Sequence, residues 1–181
     1  MLLKGTRMIS RTPRFILILL TLVALPFLGA GCANIQTPQD LQVAVYNGSY
    51  MSAWAATKVT IKNKIVTPEQ ATKVQETLAS LTPVVTDVAN TDNLLVTVYP
   101  LCERVIATRI ADPVAQSLAM AAAAAALQTA QQAIDKNPDI RNDKQQLGNL
   151  LANVMRGASD GIKGGLASPA TTQPLPPPVI H

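Results

Sequence analysis

From residue 71 onward the apolar positions recur at alternating steps of three and four: Ala71, Val74, Leu78, Leu81, Val85 and Val88. That spacing is the narrow stripe of a helix packed along one face. Immediately before it stands Thr67-Pro68-Glu69-Gln70. Thr67 offers a hydroxyl acceptor to a free backbone N–H, Pro68 suits the first helical position, and Gln70 can reach back to close a capping box. Glu69 lies near the positive end of the helix dipole and is spaced to pair with Lys73. A turn at residues 63–67 and a helix from Pro68 are therefore predicted. Pro83 interrupts the helix, either as a kink or as the start of a new helix capped by Thr82. Upstream, Val43, Tyr46, Tyr50, Trp54 and Ile61 share one face of a helix predicted over residues 40–64, with Gly48 as its weak point. The narrow stripe of the second helix needs a partner, and the first helix, joined by a short turn, is the expected one.

Residues 90–93 read as a turn. Residues 94–110 open with Leu-Leu-Val-Thr-Val-Tyr, which has strand propensity. No second strand-like run is present to pair with it, and a lone strand is not stable. A helix with a kink or break at Pro100 is predicted instead. Asp112-Pro113 repeats the cap-plus-proline signature. The helix predicted from there to Lys136 holds six consecutive alanines, with Met120, Leu127 and Ile134 seven apart. Gln116, Gln128, Gln131 and Gln132 lie along it, and alanine contributes little transfer energy, so it reads as close packing through small residues rather than a membrane span. Asn137-Pro138 ends it. A last helix is predicted from Asp139, with Ile140, Leu147, Leu151 and Val154 on one face, frayed by Gly157, Gly161, Gly164 and Gly165. Five of the last fifteen residues are proline, which predicts a disordered or polyproline tail. The fold class is all-α, a small antiparallel bundle of four or five helices.

The amino end has another pattern. Lys4, Arg7, Arg11 and Arg14 stand among fourteen residues with no acid, and Met8 is an alternative start. Residues 15–28 are then almost wholly apolar. As a helix they would reach ~21 Å, short of a hydrocarbon core of ~30 Å, which suits a signal-peptide core better than a spanning segment. The run ends in Leu28-Gly29-Ala30-Gly31-Cys32. This resembles the lipobox of bacterial lipoproteins, in which small residues admit a peptidase to the backbone before a cysteine that receives diacylglycerol. It departs from the family in having Gly29 where leucine is usual, with Leu28 displaced by one. The resemblance implies cleavage before Cys32, a covalent lipid on its thiol and a membrane anchor. Ala33, in place of the aspartate that retains many such proteins at the inner membrane, implies an outer-membrane site facing the periplasm in a two-membrane host. An ordinary small-x-small cleavage site giving a secreted protein, or an uncleaved anchor, are the alternatives. The predicted organisation is a signal peptide (1–31), a lipidated tether (32–39), a helical domain (40–166) and a proline-rich tail (167–181).

Charge and chemistry narrow the function. Of fifteen cations four lie in the leader, so the remainder balances eleven against eleven acids. There is no concentrated cationic face, and no nucleic-acid partner is expected. The single histidine, His181, is the last residue. No Cys/His set has metal-ligand spacing, and no glycine-rich loop lies between a strand and a helix. Asp139 and Asp143, expected on one helix face, read as solvated surface rather than a hydrolytic pair. No enzyme, no metal and no cofactor beyond the lipid on Cys32 is expected. Cys102, among Leu101, Val105 and Ile106, reads as a buried inert thiol, with an intermolecular disulfide as the alternative. Tyr46, Tyr50 and Trp54 are either core anchors or a ligand-stacking or partner-binding face. The expected function is a membrane-anchored envelope lipoprotein that binds a protein partner or scaffolds an assembly. The outline also resembles outer-membrane spanin subunits, short lipoproteins with proline-rich stretches, although this chain has a long Ala-rich body. The Thr-Pro-Glu-Gln-Ala turn is similar to helical-hairpin proteins of phage-related genomes. A phage-type role in lysis or superinfection exclusion, or a carrier of an apolar ligand between helices, are the alternatives.

Overall fold

The computed structural model describes residues 37–87 and 93–167. The leader, Cys32, Val88, the turn residues up to Asp92 and the tail from Ser168 lie outside the described residues. Among the described residues every regular element is helical: α1 (Pro38–Lys62), α2 (Pro68–Thr86), α3 (Leu94–Thr97), α4 (Tyr99–Arg109), α5 (Pro113–Lys136), a 3-10 turn (Pro138–Asn142) and α6 (Lys144–Ala167).

Local cap chemistry explains where these helices start. Gln70 N donates to Thr67 Oγ1 at 3.2 Å, and Thr67 N donates to Gln70 Oε1 at 2.8 Å, closing the predicted box at α2. The same device stands at Thr37-Pro38-Gln39-Asp40. Asp40 N donates to Thr37 Oγ1 at 3.1 Å and Thr37 N donates to the Asp40 carboxylate at 3.0 Å. So α1 begins at Pro38 instead of Asp40, and the polar lead-in is shorter than expected. Asp112 Oδ1 accepts from Val114 N and Ala115 N at the head of α5. Between α1 and α2 the turn falls at the predicted place. Lys64 takes a left-handed φ of 55° there, and Ile65 N donates to Thr60 O at 2.9 Å.

Two local expectations are corrected, and one of the two readings at Pro83 is excluded. The last helix does not start at Asp139: Pro138–Asn142 forms a tight 3-10 turn, and α6 begins one residue after Asp143. The Asp143 carboxylate accepts from Gln145 N and Gln146 N, both at 3.0 Å, and so satisfies the first free amides of α6 there. Asp139 and Asp143 consequently do not share a helix face. The segment 94–110 is helical, but it breaks at Val98, not at Pro100. Proline lacks an N–H and its ring crowds the carbonyl four residues back, so the interruption precedes it and Pro100 sits in the first turn of α4. At Pro83 no new helix starts; α2 runs through to Thr86. Pro83 is exposed, as is Ala79, whose carbonyl loses its donor, so water can serve that oxygen.

The partner of α2 also differs from expectation. Ala71, Val74, Leu78, Leu81 and Val85 are all fully buried, but they pack against α6, α5 and α4 rather than along α1. Both α1 and α2 lie against α6, which runs between them. With α2 the sense is antiparallel: Gln75 meets Ser159, while Thr86 lies beside Gly148. With α1 it is parallel. Gln42 meets Asn153 at a separation of 111 positions, and Tyr46 with Gly157 and Tyr50 with Gly161 keep that offset. Within the helical bundle α1 and α6 thus form a parallel pair in register. Leu147, Leu150, Leu151, Val154 and Met155 of α6 fill the core with Leu118, Leu127 and Ile134 of α5 and Ile106 of α4. Each such fully buried side chain contributes ~1.5–3 kcal/mol of transfer free energy.

Candidate functional site

Gly157, Gly161 and Gly165 recur every four residues on α6 and form one edge of that helix. Glycine content alone predicts fraying there; α6 instead continues through them to Ala167. Their role is close approach. A Cβ on Gly157 would lie 2.4 Å from the Tyr46 carbonyl oxygen, and one on Gly161 would lie 2.3 Å from that of Tyr50. A Cβ on Gly165 would lie 2.8 Å from Thr57 Cβ. The facing positions of α1 are small as well: Ser49, Ala53 and Thr57, also four apart. Thr57 turns its hydroxyl back to Ala53 O at 2.8 Å, leaving its methyl group to the seam. Small-x3-small spacing on both helices lets the two backbones approach and gain dispersion contact.

The close approach sets an aromatic ridge along the edge of the seam. Tyr46 is 8% exposed, and its phenol donates to Asp160 Oδ2 at 3.0 Å. Burial first, and then the neighbouring Asp160 charge, push the Tyr46 phenol up to about 12. Its ring stacks on Tyr50 with centroids 6.2 Å apart and planes inclined by 25°. Gly164 leaves room for the Tyr50 hydroxyl to lie over α6, since a Cβ there would meet that oxygen at 2.4 Å and Trp54 Cδ1 at 3.4 Å. Lys58 Nζ stands 6.0 Å from the centroid of the Trp54 ring, at the reach of a cation–π contact. Tyr50 and Trp54 remain half-buried. The three aromatic residues singled out from the sequence therefore sit together but divide in role. Tyr46 is locked into the seam, whereas Tyr50 and Trp54 keep part of their ring surface in solvent, with Lys58 beside Trp54. Such a surface suits non-covalent contact with flat or apolar groups.

Elsewhere, α1 and α5 diverge over a small apolar cleft lined by Ser49, Ala53, Ala56, Ala122 and Ala126. Its volume is about 20 Å³, room for one water molecule. The buried Ser49 hydroxyl, which has no hydrogen-bond partner among the described residues, lies at that cleft. Cys102 is fully buried and free, and burial pushes its thiol up to about 11. Among the described residues no group of three His, Cys, Asp or Glu side chains could hold a metal ion, and no helix is long and apolar enough to cross a membrane. Leu28, Gly29, Ala30, Gly31 and Cys32 lie outside the described residues.

Asp160, which helps complete the ridge, was not singled out from the sequence, and Gly164 was read there only as fraying the helix. The signal that could have found the seam is the Gly-x3-Gly-x3-Gly spacing from Gly157 to Gly165. No family model, no curated protein and no solved structure matches the chain.

Proposed function

We propose that this protein is an envelope lipoprotein, anchored through a lipid on Cys32, whose helical domain binds a protein partner or scaffolds an assembly without catalysing a reaction. The anchor rests on the leader and on the Leu28–Cys32 motif. The observation that carries the scaffolding part is the polarity of the bundle. Cys32 is five positions ahead of the α1 cap at Thr37, so covalent geometry limits that tether to ~18 Å. Because α1 and α6 run parallel in register, Ala167 lies at the end of the bundle remote from Thr37. A helix of 24 residues separates the two ends by ~36 Å. Anchor and tail therefore attach at opposite poles, as suits a spacer that presents one end to the membrane and the other to a partner.

The mass of the amino-terminal peptide from membrane-fraction protein tests the anchor, with wild type beside Cys32→Ser. The expected result is a lipid-bearing Cys32 peptide that the variant lacks. A peptide starting beyond an unmodified Cys32, or one retaining residues 15–28, overturns it. Extraction in mild detergent tests the scaffolding part: a stoichiometric protein partner is expected, and a clean monomer counts against it.

A further inference from the structure

We propose that the half-buried rings of Tyr50 and Trp54 are the docking site of the chain's own proline-rich tail, residues 174–178. This is independent of the anchor and concerns what occupies the ridge. The first observation is where the described chain ends. Ala167 is three residues past Gly164, whose neighbours are Tyr50 and Trp54. At the constant offset of the parallel pair it stands level with Ala56, half a turn beyond Trp54. The tail is thus delivered to one end of the ridge.

The second observation is length. Fourteen residues come after Ala167, and the proline cluster Pro174-Leu175-Pro176-Pro177-Pro178 begins after the sixth. Six residues reach at most ~20 Å, enough to reverse direction at the end of α6. Five residues in polyproline geometry then cover ~15 Å. The part of the ridge left in solvent, from Tyr50 to Trp54, is four residues of helix and measures ~6 Å. The cluster is therefore long enough to cover both rings.

The chemistry matches as well. Pyrrolidine rings in a polyproline helix pack on flat aromatic faces, and the preformed helix has little conformational entropy left to lose. Residues 168–180 carry no charged side chain, so the segment can leave water against apolar rings without stranding a charge. A tethered segment also acts at an effective concentration of ~1 mM, so a contact too weak between separate molecules is populated within one. In this arrangement the tail covers Tyr50 and Trp54 until a partner takes either the tail or the ridge.

Trp54 is the protein's only tryptophan, so its emission reports the site directly. The experiment compares acrylamide quenching of Trp54 in the full chain with that in the full-length variant P174S/P176S/P177S/P178S. None of the substituted positions belongs to a described helix. Quenching is expected to rise about twofold in the variant, as a covered ring becomes partly exposed. A synthetic peptide of residues 168–181, added to the variant at ~10 mM, above the effective concentration of the tethered tail, should restore the wild-type value. Equal quenching in the two proteins, or no restoration by the peptide, overturns the proposal. Protection that persists through about a hundredfold dilution supports docking within one chain; protection lost on dilution means that a second copy supplies the tail, and overturns it.

Discussion

At Tyr46 a phenol is withdrawn into the seam between α1 and α6 and donates to Asp160 at 3.0 Å. Its ordinary value of 10 is raised to about 12 by burial and by that carboxylate. Between those values the folded chain holds a proton that the unfolded chain has released. The contribution to stability is therefore complete below pH 10 and is lost as pH rises toward about 12. In urea melts across this range, wild type should lose stability more steeply than Tyr46→Phe, and parallel curves would remove the phenol as the cause. Near neutral pH the variant should cost about 1–2 kcal/mol for the missing hydrogen bond. A second effect at this scale concerns the helix caps. Thr67→Ala removes the acceptor of the Gln70 amide and should lower stability by about 1 kcal/mol, read as a shift in denaturant midpoint at unchanged slope. The cap at Thr67 was legible in the sequence because donor and acceptor are three residues apart. The Tyr46–Asp160 pair was not, because its members are 114 positions apart.

Among the elements, α6 carries the contrast that periodicity alone misreads. By helix propensity each glycine in it costs up to ~1 kcal/mol relative to alanine, which is why the run of them reads as fraying. Packing reverses that reading at some positions and not at others. A methyl group at Gly161 would lie 2.3 Å from the Tyr50 carbonyl oxygen and 2.9 Å from Ala53 Cβ, both on or next to backbone that cannot yield. Gly161→Ala should separate α1 from α6 and destabilise the fold by about 1–3 kcal/mol, even though the helix itself gains propensity. At Gly148 the nearest atom is Thr86 O at 3.8 Å, an ordinary contact. Gly148→Ala should therefore stabilise by about 0.5–1 kcal/mol. Thermal melts of the two variants check the opposite signs; changes of the same sign would show that close approach is not what the seam glycines provide. The stripe of α2 was legible in full up to Val85, because leucine and valine at steps of three and four have one physical use. Its partner was not, because an apolar stripe does not name the surface that covers it.

Across the whole molecule, the fold decides where the two ends of the chain stand. With α1 and α2 on either side of α6, the chain enters the bundle at one pole and leaves it at the other. This polarity underlies both the spacer reading and the proposed docking of the tail on Trp54. Its two tests are separable. The mass of the Cys32 peptide concerns the anchor alone, and Trp54 quenching concerns the tail alone.

The sequence by itself determined the helical class, the starts of α1, α2, α5 and α6 at polar caps, and the effect of Pro100 and Pro138 on the chain. Each depends on backbone amides and side chains within four residues, so the physics is complete locally. Of these, the caps at Thr37 and Asp143 were written in the residues though not read there. Only the tertiary structure decided that α6 lies between α1 and α2, that α1 runs parallel to it, and that its glycines are contacts and not breaks. The same holds for Tyr46 being inside while Tyr50 and Trp54 stay at the rim. These features arise from surfaces brought together by hydrogen bonds across 84 to 114 positions. A missing side chain stabilises nothing until a second backbone arrives to fill the space.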